Sequence, residues 1–342
     1  METNSSQTDS LPVPTEEPKI PHCDNTLRSA FVTCHRKFYF LHRLHLRSLY
    51  GSSALRYGSV WHAGMEHFYL HIKEFGWLKD GGAMKAGIEG MRQEWEAITA
   101  AEMFYDDYRT LENCMQSFLY YMNEFSADEG HMKVVQAEKA FRIRMAPETE
   151  EEERNFKGLI PFDFTGKVDL EVELNGRLWV NEHKTTGQPI DLQATRLNRS
   201  AQVMGYTYAT IKKALDDSRK PDGALITIHH LSARKSTAKG NEGNYGTPKI
   251  EFRRVPQIFN DNDLLQWRNS FLATALDIQR EDERGLWPMN HDSCFNYNTP
   301  CQFLGLCQNN ESVKDIRIDE SRYRVGEAWE VSKDVKASEV VF

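Results

Sequence analysis

Several features that define whole classes of protein are absent from this 342-residue sequence. No run of about 18 apolar residues occurs, so we expect no membrane-spanning helix. The first twenty residues contain no apolar signal core, so we expect a disordered tail and a cytoplasmic location, where thiols stay reduced. Neither a G-x-G-x-x-G nor a G-x-x-x-x-G-K-[ST] motif is present, so the usual signals for a dinucleotide cofactor and for a nucleotide-driven motor are missing.

Acidic residues are also absent from residues 25–65, although the whole chain carries a net charge of −8. Acidity collects elsewhere, notably at Glu148 and at residues 150–153. This segregation predicts a phosphate-attracting face on an acidic molecule, although a solvated basic helix would give the same pattern. The basic residues in the acid-free stretch are Arg28, Arg36, Lys37, Arg43, Arg47 and Arg56.

Apolar spacing predicts an α/β chain, because segments with helical and strand periodicity alternate along it. We expect one domain over residues 25–311 between a tail at 1–24 and a polar tail at 312–342. Its mixed central β-sheet would be flanked by helices, with a helical part at about 57–130, a sheet core at about 134–255 and a helix and cysteine loop at 260–307. Helices are expected at 26–47, with Thr26 as N-cap, and at 57–73, 84–125, 196–215 and 260–284. Strands are expected at 134–145, 162–174, 177–183, 223–232 and 248–255, with an exposed loop at 147–155.

One segment, FTGKVDLEVELNGRLWVNEHKTT, combines carboxylates and a lysine at the ends of two predicted strands. Asn175-Gly176 is a strong hairpin signal between them. Period-two geometry places Glu182 and Lys184 on one face, and the neighbouring strand can carry Asp169 beside them. Two carboxylates would suit a hard divalent ion, and a lysine could hold a phosphate or orient an attacking water. Glu-x-Lys alone is more often a solvated strand end.

Together these motifs resemble the RecB-like exonuclease branch of the PD-(D/E)xK nuclease superfamily, which includes the AddB nuclease domain and the iron–sulfur nuclease of CRISPR adaptation. The resemblance covers roughly residues 26–307. No proline precedes Asp169, and members of the branch commonly lack that proline too. It implies a restriction-endonuclease-like core and metal-dependent DNA hydrolysis. The matching motifs are Gly166-x-x-Asp169, Glu182-x-Lys184, Gln202-x-x-x-Tyr206, His62 in GSVWHAGMEHFY and Glu138 in VVQAEKAFRI.

The resemblance also implies roles for these residues. One or two Mg²⁺ or Mn²⁺ ions would be held by His62, Asp169, Glu182 and the main-chain carbonyl of His183, whose side chain is expected on the opposite face. Lys184 would orient water or stabilise charge on phosphorus. Gln202 and Tyr206 would position the DNA strand, and Glu138 would be the acid of the first core strand. Judged alone, His62 could be an ordinary surface or core histidine, Glu138 could pair with a base, and Gln202 and Tyr206 could simply pack.

Three of the six cysteines, Cys294, Cys301 and Cys307, lie close together near the end of the predicted domain. In a reducing compartment such density predicts a metal site rather than disulfides, although unrelated core cysteines remain an alternative. The resemblance supplies a fourth ligand, because Cys34-His35-Arg36-Lys37-Phe38 is similar to the Cys-Pro-Arg-Lys-Phe pattern of the branch. It implies a [4Fe–4S] cluster, and four thiolates would equally suit structural zinc. Cys23 and Cys114 are expected to be non-ligands.

The sequence therefore predicts a metal-dependent DNA exonuclease acting in recombination, repair or DNA-end processing. We expect Arg36, Lys37, Arg43 and Arg47 to guide the DNA backbone. A recombination protein or a separate helicase would be the partner, and the resemblance favours a phage or prophage setting. Two alternatives remain open: a non-catalytic DNA-end-binding adaptor and a structure- or site-specific endonuclease of the same fold.

Overall fold

The computed structural model describes residues 22–77, 81–105, 107–213, 220–237, 243–296, 299–309 and 318–326. Its helices are α1 (Asn25–Thr33), α2 (His35–Phe38), α3 (Ser53–Phe75), α4 (Gly82–Ala101), α5 (Leu111–Glu124), α6 (Glu150–Asn155), α7 (Ile190–Leu197), α8 (Ala201–Lys213), α9 (Asp261–Arg284) and α10 (Leu304–Asn309). Its strands are β1 (His22–Cys23), β2 (Leu46–Ser48), β3 (Met132–Met145), β4 (Phe162–Leu174), β5 (Arg177–Thr186), β6 (Gly223–Ser232), β7 (Lys249–Gln257), β8 (Phe295–Asn296), β9 (Thr299–Pro300) and β10 (Tyr323–Val325).

A mixed sheet in the order β1-β4-β5-β6-β7, with β3 also paired to β4, forms the centre of the fold. β4 and β5 are antiparallel and joined by Asn175 and Gly176, both at positive φ as the hairpin signal predicts. β5 and β6 are parallel, so their carboxyl ends lie at the same edge of the sheet. The predicted mixed α/β fold with a central sheet flanked by helices is confirmed.

The described chain forms two compact units, each assembled from separated segments. The cysteine unit takes its residues from the ranges 1–49, 144–164 and 270–330, and the main unit takes its described residues from 50–143 and 165–269. A small core in the cysteine unit includes Phe40, Phe303 and Tyr323. A larger core in the main unit surrounds Trp61 and Tyr121. That the chain is a single domain stays a prediction.

The predicted helix over 26–47 is wrong in its cap and its length. Asp24, not Thr26, caps α1, because its carboxylate accepts a hydrogen bond from the backbone N–H of Leu27 at 2.7 Å. The helix ends where Cys34 adopts an extended backbone, and a π-helical turn and β2 follow α2. Apolar spacing alone could not reveal this break, because the following turns continue much the same pattern.

Two segments expected to be loop or tail contain regular structure. The expected loop at 147–155 contains α6, which Thr149 caps by accepting a hydrogen bond from the backbone N–H of Glu152. In the expected C-terminal tail, β10 pairs antiparallel with β2, and Tyr323 is buried. Residues 312–317 and 327–342 of that tail, and residues 1–21 of the N-terminal tail, lie outside the described residues.

Candidate active site

The carboxylate and lysine groups of the main unit meet on one face of the hairpin formed by β4 and β5. Leu170 pairs with Asn181, which places Asp169 and Glu182 at neighbouring positions of the two strands. Asp169 Oδ2 accepts a hydrogen bond from the backbone N–H of His183 at 2.8 Å. Lys184 Nζ lies 2.6 Å from Glu182 Oε1, as expected for side chains two residues apart on a strand.

A possible metal-ligand group lies beside this pair. His62 Nδ1 on α3 is 3.4 Å from Asp169 Oδ2, and one ligand atom from each of His62, Glu138 and Asp169 lies within 4.8 Å of the others. Glu182 Oε2 is buried and has no hydrogen-bond partner among the described residues. A buried carboxylate oxygen without a partner is costly unless a cation meets it. This set of oxygen and imidazole ligands fits a hard divalent ion such as Mg²⁺ or Mn²⁺.

Glu138 reaches this group through an unusual backbone conformation. Its φ is +47°, a left-handed value inside β3, and such residues in strands often mark bulges that redirect a side chain. Its carboxylate also lies 3.0 Å from Lys167 Nζ. Glu138 therefore both pairs with a base and lies within the candidate ligand group, so the two interpretations of this residue are compatible.

Burial sets the charge state of the group. It raises the pKa of Asp169 to about 6, of Glu182 to about 7 and of Glu138 to about 8, and the negative charge of Asp169 adds to the rise at both glutamates. Burial lowers the pKa of His62 to about 4, so its imidazole is neutral, which is the form that binds a metal. A divalent cation would stabilise all of the carboxylates in their charged form.

Lys184 stays charged in this environment. Burial lowers its pKa, but the charges of Glu182 and Asp169 outweigh that effect and the net shift is upward. The ammonium also donates to Gln202 Oε1 at 2.8 Å, and Gln202 Nε2 donates to the Tyr206 hydroxyl at 3.1 Å. A chain of hydrogen bonds thus runs from Glu182 through Lys184 to α8.

Gly166 allows this chain to approach the sheet. A Cβ added there would lie 2.7 Å from the ring of Phe141 and 2.9 Å from the ring of Tyr206. The two rings meet edge to face at 5.7 Å between centroids. Glycine is therefore required at this position of the Gly-x-x-Asp motif for a steric reason, because any side chain would displace Tyr206.

The side chain of His183 lies on the other face of β5, as period two requires. It is buried, with ring centroids 6.1 Å from Tyr69 and 6.0 Å from Tyr121. Burial lowers its pKa well below the ordinary value, so the ring is neutral. A ligand role for its main-chain carbonyl stays a prediction.

Two charged residues near the group were missed by the sequence analysis. Lys167 contacts Glu138 and lies 3.8 Å from Glu66 Oε1, and Glu66 follows His62 by one helical turn on α3. The only available signal for Glu66 was its i+4 spacing from His62, which places both on one helix face. Lys167 gave no signal of its own, since lone lysines in strands are common.

In the cysteine unit, the four predicted thiols gather around one small cavity. Cys34, Cys294, Cys301 and Cys307 line it together with Lys37 and Phe303. The backbone N–H of Cys301 donates to Cys294 O at 2.7 Å, and that of Asn290 donates to Cys34 Sγ at 3.4 Å. The pKa of Cys307 is raised to about 11, chiefly by burial; Arg36 opposes the rise and the other three thiols add to it. None of the six cysteines forms a disulfide, and Cys23 and Cys114 lie buried elsewhere.

The spacing of these thiols bears on the kind of metal they fit. Tetrahedral zinc with Zn–S bonds of about 2.3 Å would hold its sulfurs roughly 4 Å apart. Across the described residues, no three cysteine sulfurs lie within 4.8 Å of one another. Which metal the four thiols hold stays a prediction.

The basic residues predicted to guide DNA are mostly engaged in contacts within the cysteine unit. Arg43 makes two 2.7 Å hydrogen bonds to Asp282, and Arg47 donates to the backbone carbonyls of Leu41 and Leu46. Arg36 Nε donates to Trp287 O at 3.0 Å. These contacts lie within the protein itself, and DNA contacts by Arg36, Lys37, Arg43 and Arg47 stay a prediction.

Comparison with known families agrees with the geometry. The model of the PD-(D/E)XK nuclease superfamily matches residues 28–308, most of the chain. The chain belongs to this superfamily. A solved structure described as "Putative exonuclease" from Eubacterium rectale is similar over 93% of this chain and 97% of that one, at 13% identity and a TM-score of 0.41. No curated protein sequence matches this PD-(D/E)XK chain. Among its described helices, none combines the length and apolar character needed to cross a bilayer.

Proposed function

We propose that this PD-(D/E)XK protein is a metal-dependent DNA exonuclease. The observation that carries the proposal is the meeting of Asp169, Glu182 and Lys184 on one face of the β4–β5 hairpin, beside His62. A binding module has no need for buried carboxylates of raised pKa next to a charged lysine, whereas hydrolysis of a phosphodiester does. The action would belong to recombination, repair or DNA-end processing.

His62, Asp169 and Glu182 would hold one or two Mg²⁺ or Mn²⁺ ions, with Glu138 and the His183 carbonyl as further candidate ligands. When bound, the metal would polarise the phosphate and make a nucleophile of water at neutral pH. Lys184 would orient that water or stabilise the charge that develops on phosphorus. Gln202 Oε1 positions the ammonium by accepting a hydrogen bond from it, and the Tyr206 hydroxyl positions Gln202 by accepting a hydrogen bond from Nε2.

The RecB-like iron–sulfur branch and a phage or prophage setting are part of the proposal and rest on the sequence resemblance. Cys34, Cys294, Cys301 and Cys307 would hold a [4Fe–4S] cluster, with structural zinc as the alternative. The cluster's role would be to fasten α1 to the cysteine segment at residues 294–307. Arg36 and Lys37 would contact the DNA backbone, and a recombination protein or separate helicase would be the partner.

Digestion of end-labelled single-stranded and duplex DNA, with Mg²⁺, Mn²⁺ or a chelator, tests the proposal. We expect stepwise loss of terminal nucleotides that requires a divalent metal. Internal cuts in a closed circular substrate would favour the endonuclease alternative. Binding of DNA ends without any cleavage under any metal would favour the adaptor and contradict the proposal.

A further inference from the structure

An exposed pair of aromatic rings lies on the main unit. Tyr50 and Tyr105 stack with 5.7 Å between ring centroids and an interplanar angle of 11°. Tyr105 is 75% exposed and Tyr50 is 46% exposed. The two adjoining rings present a flat apolar surface, and covering such a surface is favourable. The outer ring of the pair can extend the stack by one more flat group.

This pair is held in place rather than carried on a free loop. Tyr50 forms a β-bridge with Met103, and the backbone N–H of Gly51 donates to Met103 O at 2.9 Å. Ser53 Oγ donates to Asp107 Oδ2 at 2.6 Å. The segment after α4 is therefore fastened at two points to the start of α3, which reduces the entropy lost when a ligand stacks on it.

A second aromatic pair with basic partners joins this segment to the loop between β6 and β7. Tyr108 and Tyr245 meet edge to face at 5.2 Å. The guanidinium of Arg109 lies 4.5 Å from the ring of Tyr108, and the ammonium of Lys235 lies 5.2 Å from the ring of Tyr245. Aromatic rings interleaved with cations are the features by which proteins hold unpaired nucleotides, since rings stack on bases and cations attract phosphates.

These rings lie at the end of the sheet that carries the candidate active site. A Cβ added at Gly187 would be 3.2 Å from Arg109 Nη2 and 3.3 Å from the Tyr108 hydroxyl, and Gly187 follows Lys184 by three residues. Lys235 follows the carboxyl end of β6, which runs parallel to β5 and ends at the same edge. A strand bound at Tyr108 would therefore lie beside the end of β5, three residues beyond Lys184.

We propose that Tyr50, Tyr105, Tyr108 and Tyr245, here called the tyrosine platform, bind single-stranded DNA by base stacking and deliver its end to Asp169, Glu182 and Lys184. This inference rests on the proposed nuclease function and names its substrate class. Duplex DNA is disfavoured as the occupant, because paired bases bury the faces that would stack on Tyr105. Bound bases extend the Tyr50–Tyr105 stack, and Arg109 and Lys235 attract the adjoining phosphates.

The test measures binding apart from cleavage. A fluorescein-labelled oligothymidylate is titrated with the full-length protein in Ca²⁺, and gels check that the oligonucleotide stays intact. We expect Tyr105→Ala to weaken binding by about tenfold or more, since loss of one base stack is worth that much. Tyr105→Trp should retain the wild-type affinity, and a blunt duplex should bind all variants equally. Tyr120→Ala is the control, because Tyr120 is 49% exposed on α5 but lies outside the platform.

Several results would overturn the platform. These are an unchanged oligothymidylate affinity in Tyr105→Ala, an equal loss for the blunt duplex, or failure of Tyr105→Trp to restore binding while thermal unfolding shows it folded. A protein partner on this surface would give the first of these results. If wild type binds oligothymidylate but cleaves no DNA with Mg²⁺ or Mn²⁺, the nuclease proposal fails and the platform stands. If wild type cleaves DNA and Tyr105→Ala binds oligothymidylate normally, the platform fails and the nuclease proposal stands.

Discussion

At the scale of single residues, the buried carboxylates of the hairpin reduce folding stability but are needed for the proposed catalysis. Glu182 is 1% exposed and places a charge where water cannot solvate it. We expect Asp169→Asn, Glu182→Gln and Lys184→Ala each to lower DNA cleavage by at least about a hundredfold, because each removes a metal ligand or a catalytic charge. Glu182→Gln should unfold at the same temperature as wild type or higher, since the buried charge is gone.

End-labelled cleavage assays and thermal unfolding measure these effects together. Glu173→Gln is the matched control, because it neutralises a carboxylate further along β4 that is not part of the ligand group. Retained cleavage in any two of the three site variants would refute the assigned site.

The same carboxyl groups predict how stability depends on pH. Because the pKa values of Glu182 and Glu138 are raised to about 7 and about 8, the folded state without metal holds more protons than the unfolded state near neutrality. Stability without added Mg²⁺ should therefore fall as pH rises from about 6.5 to about 8. Buried histidines such as His62 have lowered pKa values and make stability rise with pH, but only below their ordinary pKa of about 6.5.

Thermal unfolding midpoints at pH 6.5, 7, 7.5 and 8 check this slope. Added Mg²⁺ should reverse it, since the ion competes with the protons. Glu138→Gln should make the slope shallower. Stability that rises over this interval in the absence of Mg²⁺ would contradict the raised pKa values.

Some site residues could be predicted from the sequence, for reasons that are local. Glu182 and Lys184 share a face because strands have period two, and the Asn175-Gly176 turn brings Asp169 alongside them. Glu66 and Lys167 could not be predicted, since their role comes only from the packing of α3 against the hairpin. The pairing of Arg43 could not be predicted either, because its partner Asp282 lies far along the chain.

At the scale of elements, the close approach of α8 to β4 depends on Gly166. We expect Gly166→Ala to destabilise the protein by about 1–3 kcal/mol, because the added methyl overlaps the rings of Phe141 and Tyr206. Cleavage should fall as well, since Tyr206 and Gln202 would shift away from Lys184. Gly246→Ala is the control, as the nearest atom to its added Cβ is 3.8 Å away.

Chemical denaturation and cleavage assays measure the two consequences of Gly166→Ala. An unchanged free energy of unfolding would mean that the rings of Phe141 and Tyr206 move aside without destabilising the protein.

The strands of the hairpin could be predicted, because their apolar alternation is long and the turn is distinctive. The break after α1 could not, since apolar spacing continues past the extended backbone of Cys34.

At the scale of the whole molecule, thiols from both ends of the chain meet in the cysteine unit. We expect the protein purified without oxygen to be brown, and Cys34→Ser to lose the visible absorbance and most of the bound iron. Unfolding of the cysteine unit should then occur at lower temperature, because the cross-link between distant segments is gone. Absorbance spectra and metal analysis decide the outcome.

Cys114→Ala is the control for this prediction, since Cys114 is buried in the core of the main unit. A colourless wild-type protein containing zinc would overturn the iron assignment while keeping the ligands. The cysteine spacing predicts three candidate ligands and the resemblance supplies Cys34, but the choice of metal depends on distances between sulfurs, which no sequence pattern specifies.

The pairing of β2 with β10 has a consequence for how the chain folds during its synthesis. Residues 46–48 are synthesised long before their partner at 323–325. The edge of β2 therefore stays unpaired while the intervening residues are made. Truncation before residue 323 would leave that edge permanently open, so shortened products should aggregate even though every residue of the candidate active site is present.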